Sequence, residues 1–180
     1  MGTNTNHRPH KFIKTETMKK IITLIALIAV GITQISAQDL YKKVYESAID
    51  VVNNSQSSDE QVQINQFKVT ALNYIARQVK KSGTERDSYF YDSQAVNMAS
   101  FITDFETNVM KARTISTAKR LQVIEIYRSA SLSNPLFNDA DKETVYCYVN
   151  DKATFTPFSL DTDWEKAYEV ATIKIREFFK

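Results

Sequence analysis

Between residues 38 and 180 this chain contains one glycine, Gly83, and two prolines, Pro135 and Pro157. So few backbone breakers leave little material for the tight turns of an all-β domain, and they favour long helices. The apolar residues agree. Over 39–54, Leu40, Tyr41, Val44, Tyr45, Ala48, Ile49, Val51 and Val52 recur at spacings of three and four and make one wide helical face. A polar turn, 53–58, separates it from a second helix over 59–81, with Ile64, Phe67, Ala71, Tyr74, Ile75 and Val79 on one side. Lys80 and Lys81 suit the C-terminal end of that helix, and Gly83 is a natural stop.

A connector is expected over 84–91, then a third helix over 92–113 with the seam Ala95, Met98, Ile102, Phe105 and Val109. A fourth runs from a cap at Ser116 or Thr117 to Ser131. Leu121, Val123, Ile124, Ile126, Tyr127 and Ala130 cover much of its circumference, which predicts the most buried helix of the set. The acids Asp139, Asp141 and Glu143 then read as a helix N-terminus. Residues 144–149 are β-like in composition, yet Ala140, Cys147 and Tyr148 fit a helical face, and a short helix is expected there. A loop over 150–159 should pack Phe155 and Phe158 on the bundle. Thr162 and Glu165 read as a capping box opening the last helix, with the seam Trp164, Ala167, Tyr168, Ala171, Ile175 and Phe178. The fold class expected is all-α, an antiparallel bundle of five or six helices built from helical hairpins, in a single domain over 38–180. No internal repeat is visible; a lone Gly83 and a lone Trp164 do not supply a tetratricopeptide pattern.

Ahead of this body stands Met18-Lys19-Lys20, an apolar run over 21–32, and Ile35-Ser36-Ala37 before Gln38. A basic n-region, a short apolar core and a small-residue junction resemble a bacterial Sec signal peptide over 18–37, with cleavage between Ala37 and Gln38. The apolar stretch is too short for a spanning helix, which needs about 20 apolar residues, so no stable membrane anchor is expected after cleavage. No cysteine near the junction offers a lipid anchor. Residues 1–17 read as a non-native extension without structure, and the destination as the periplasm or the extracellular medium.

Removing the leader changes the chemistry. Five of the 23 basic residues and one of the 21 acids lie in it, so 38–180 carries a net charge of −2. Net charge then gives no case for nucleic acid or an anionic membrane as partner. Both histidines, His7 and His10, also lie in the leader. The remaining chain cannot build a Ser-His-Asp or Cys-His arrangement, a Glu-x-x-His di-metal site, or a histidine-ligated zinc enzyme. One glycine does not make a phosphate-cradling loop. Cys147 reads as a buried, inert thiol without a histidine to activate it.

The remaining candidates are weak. An EF-hand starting at Asp139 fails, with Thr144 where a glycine is needed and Asn150 at the twelfth position. Glu165 with Glu169, and Asp104 with Glu106, read as solvated helix faces, and Asp161 and Asp163 as helix caps. The densest aromatic cluster, Tyr89, Phe90 and Tyr91, either caps the bundle end or forms a binding surface. No catalytic, cofactor or metal residue is assigned. The function expected is a non-enzymatic protein-interaction module acting on a protein partner or as a homo-oligomer. The alternative is a small-ligand or glycan-binding protein using its tyrosines, and a remote third is a carboxylate-only hydrolase pairing an acid from 161–169 with one from 139–143.

Overall fold

The computed structural model describes residues 39–140, 144–148 and 155–180. The expected extension 1–17, the signal segment 18–37 and the Ala37–Gln38 junction lie outside them. Five packed helices make an all-α fold: α1 (Asp39–Asn53), α2 (Asp59–Ser82), α3 (Ser88–Arg113), α4 (Thr117–Leu132) and α5 (Trp164–Phe178). Between α4 and α5 lies a β-hairpin of β1 (Thr144–Tyr148) and β2 (Phe155–Ser159).

Local chemistry sets most of the helix ends. Ser58 and Gln61 form a reciprocal capping box at the start of α2: the Gln61 N–H donates to Ser58 Oγ at 3.3 Å, and the Ser58 N–H to Gln61 Oε1 at 3.1 Å. Gly83 ends the helix at φ 66°, a left-handed conformation that a side chain would disfavour. Ser116 caps α4 by accepting the Lys119 N–H at 3.1 Å. Two expected starts are corrected. α3 begins at Ser88 because Asp87 accepts the Phe90 N–H at 2.9 Å, which draws the supposed connector residues into the helix. Asp92, the expected start, instead reaches α1 and accepts the Tyr41 N–H at 2.8 Å, satisfying a donor at the open end of another helix. At α5 the cap is Asp163, not Thr162, and Thr162 turns its hydroxyl into the protein.

The expected short helix over 144–149 is a strand, and the expected loop over 150–159 contributes its partner. β1 and β2 are antiparallel, with Thr144 opposite Ser159, Tyr146 opposite Pro157 and Tyr148 opposite Phe155. Val145, Tyr146, Cys147 and Tyr148 favour an extended chain, and the second strand supplies the pairing that decides between the two conformations. Pro157 is tolerated because a two-stranded sheet consists of edges.

α3 touches every other helix, and the hairpin is wedged between α2 and α4. Phe158, fully buried, enters from β2 among Phe67 of α2 and Phe101 and Phe105 of α3, with ring centroids 5.1–5.8 Å apart. Trp164 closes the cluster edge-on to Phe67 and Phe101. Edge-to-face pairs of this kind add to the gain from burial itself. The expectation that α4 is the most buried helix is overturned. Only Val123, Tyr127, Ala130 and Ser131 are buried on it, whereas α2 and α3 each bury about twice as many residues. The β-hairpin covers one side of α4 and solvent takes another, which leaves Leu121 56% exposed.

Candidate functional site

Drawing Tyr89, Phe90 and Tyr91 into the first turn of α3 separates them by about 100° each around the helix. Tyr89 consequently points away from the bundle and is 70% exposed. Phe90 is half-buried, with the Arg86 guanidinium 4.9 Å above its ring. Tyr91 turns toward α1 and meets Tyr41 edge-on at 5.5 Å; Tyr41 stacks on Tyr45 at 6.4 Å. The Tyr41 hydroxyl donates to the Leu72 carbonyl at 3.1 Å, and burial, helped by Tyr45 and Tyr91, pushes its pKa up to about 12. Two members of the triplet thus cap the bundle end, and one faces water.

Beside them lies an open groove of about 420 Å³ between the end of α2 and the start of α3. Ala76 and Val79 give it an apolar floor, Tyr91 a wall, and Lys80, Glu85 and Arg86 a charged rim. Lys80 occupies the last turn of α2, where the helix dipole favours a cation. The groove offers an aromatic face, a guanidinium fork and one carboxylate. Those groups can hold a partner.

The acidic candidates are engaged elsewhere. Asp161, 1% exposed, accepts backbone N–H groups from Leu136 at 3.2 Å, Phe137 at 2.7 Å and Asp139 at 2.9 Å. It clamps a turn rather than capping a helix, which corrects the expectation for it. Asp139 in turn accepts the Tyr74 hydroxyl at 3.0 Å and the Gln78 amide at 2.6 Å. The next element after Asp139 among the described residues is β1, not a helix, so the expected capping role fails at Asp139; Asp141 and Glu143 lie outside the described residues. The remote hydrolase reading asks for an acid from 161–169 facing one from 139–143; of these, Asp139 and Asp161 both accept hydrogen bonds from groups of the fold.

A second buried network completes this clasp. The Ser131 and Thr162 hydroxyls lie 2.8 Å apart, the Ser159 N–H donates to Ser131 Oγ at 3.0 Å, and Thr162 donates to the Ser159 carbonyl at 2.6 Å. Gln94 bridges α3 to the start of α5, accepting the Trp164 N–H at 2.9 Å and donating to Asp163 at 3.3 Å. Apart from the local bond of Thr162 to Ser159, sequence reasoning missed these links because their partners lie 22–70 residues apart.

Glu165 accepts the Ser93 hydroxyl at 2.8 Å, and both it and Glu169 are exposed. Asp104 accepts the Tyr168 hydroxyl at 3.1 Å, and burial raises its pKa. Burial also pushes Glu106 up to about 7; nearby Lys68 opposes the shift and Glu60 adds to it. Asp104 and Glu106 are thus not a solvated pair. Cys147 lies in β1 opposite Thr156. Among the described residues, no group of three or more histidine, cysteine, aspartate or glutamate side chains could hold a metal ion.

No protein-family model, curated protein or solved structure matches this chain.

Proposed function

We propose that the chain is an exported bacterial helical protein, acting in the periplasm or the medium as a non-enzymatic protein-interaction module. Its helices are read as antiparallel hairpins, supported by the short connections joining packed neighbours α1 to α2 and α3 to α4. The observation that carries the functional reading is Tyr89, 70% exposed in the first turn of α3, two residues before Tyr91, which lines the groove with Arg86. A tyrosine joins a large, rigid apolar face to a polar tip, and partners are commonly anchored through such side chains. The partner is another protein or a second copy of this chain.

The groove also favours a second reading, a small ligand or glycan held against Tyr91 with Lys80 and Arg86 as polar contacts. Crosslinking of the exported protein in its own cell envelope, as wild type and as Tyr89→Ala, tests the first reading. A discrete crosslinked product that the substitution abolishes is expected. A wild type that yields no product contradicts it. Loss of a soluble ligand's binding on Tyr91→Ala, with Tyr89→Ala unaffected, would move the assignment to the second.

A further inference from the structure

A second exposed apolar feature lies beyond the other end of α3. Ile115, in the turn between α3 and α4, is 57% exposed, and Leu121, in the second turn of α4, is 56% exposed. The chain around them is basic. Lys111, Arg113 and Lys119 fall within a stretch from Thr107 to Ile124 that contains no acidic residue. The acid that follows, Glu125, is held by Arg128 at 2.7 and 2.8 Å. The end of α5 comes in beneath: Lys119 Nζ lies 4.3 Å from the Phe178 ring centre and Lys111 Nζ 3.9 Å from that of Phe179. Glu177 is the acid nearby on α5, between Arg176 and Phe178.

We infer that this tip docks on an anionic lipid surface, with the cations on headgroup phosphates and Ile115 and Leu121 entering the interface. Two arguments select lipid over an acidic protein. The exposed aliphatic side chains belong to a turn and a helix start, while the aromatic rings that would anchor a protein partner lie against the lysines. Exposed aliphatic groups can enter a membrane interface while neighbouring lysines and arginines meet anionic headgroups. The net charge of −2 over 38–180 does not oppose this, because charges act over about 8–10 Å in salt and the patch is local. The contact is peripheral, since no helix among the described residues is long and apolar enough to cross a membrane.

Vesicle flotation of the full chain tests the inference, with phosphatidylcholine vesicles compared with vesicles that also carry phosphatidylglycerol. The variants are I115S/L121S and K111Q/R113Q/K119Q, and circular dichroism verifies that each is folded. The wild type is expected to prefer the anionic vesicles by at least about tenfold, a preference weakened by salt and lost in the charge variant. The serine variant should bind both vesicle types more weakly. Equal flotation of all three chains, through segments they share, overturns the inference. Wild-type binding to soluble polyglutamate that matches its vesicle binding and ignores the serine substitutions also overturns it, and assigns the patch to an acidic protein.

Discussion

The two ends of α3 are built differently. The helix runs 26 residues, about 39 Å. Its middle, with Met98, Phe101, Ile102 and Phe105, is fully buried. At its start one aromatic ring faces water beside a groove of mixed charge, and two neighbouring rings fold inward. Past its end two aliphatic side chains face outward among cations, and the local aromatic rings lie under lysines. Both ends expose apolar surface, but of different chemistry. A rigid ring beside donors and acceptors suits a partner with defined shape, and aliphatic tips among cations suit a surface that is fluid and anionic. The contrast holds only if the exposed groups are dispensable to the fold and the buried middle is not.

The largest effect should come from the middle. Phe101→Ala opens a cavity between Phe158, Tyr127 and Trp164 and should cost about 3–5 kcal/mol, read from denaturant unfolding by the fluorescence of Trp164, the chain's one tryptophan. Asp161→Ala strands three backbone donors in the clasp and should cost about 2–3 kcal/mol in the same assay. A loss as small as that of a surface change would show the clasp to be solvated.

Glu106, on α3 toward its basic end, predicts a pH effect. Its folded pKa of about 7 lies above the ordinary 4.5, so the folded protein holds a proton that the unfolded chain releases between those values. Stability therefore falls as pH rises through that window. Glu106→Gln should remove the fall and gain about 1–3 kcal/mol above pH 7, with no gain at pH 4. Melting curves across pH decide this, and parallel curves for the two proteins would contradict it.

The smallest effects should come from the ends. Tyr89→Ala and Ile115→Ser should each change stability by no more than about 0.5 kcal/mol. A cost approaching that of Phe101→Ala at either position would make that end a structural cap and dissolve the contrast.

Much of the fold is legible in the sequence because helix seams and caps are local. Gly83 and Ser116 mark two helix ends, and the seam through Met98, Ile102 and Phe105 is buried as the spacing predicts. The hairpin was not legible, because a strand over 144–148 is decided by a partner eleven residues away, not by its own pattern. The start of α3 turned on two aspartates, Asp87 and Asp92, that look equivalent in sequence; one caps α3 and the other serves α1. That choice also governed the candidate site. The triplet Tyr89, Phe90 and Tyr91 stands out by composition, but its division into one outward and two inward rings follows only once the helix phase is set. The basic tip was hidden for another reason: net charge averages over the chain, and the acids that cancel Lys111, Arg113 and Lys119 lie elsewhere.

The difference between the two ends is tested most directly by placing a photo-crosslinking residue at position 89 or at position 115 of the protein in the cells that produce it. The account predicts a discrete protein adduct from position 89 and lipid adducts, without a protein partner, from position 115. The same protein captured from both positions, or no adduct from either, would contradict it.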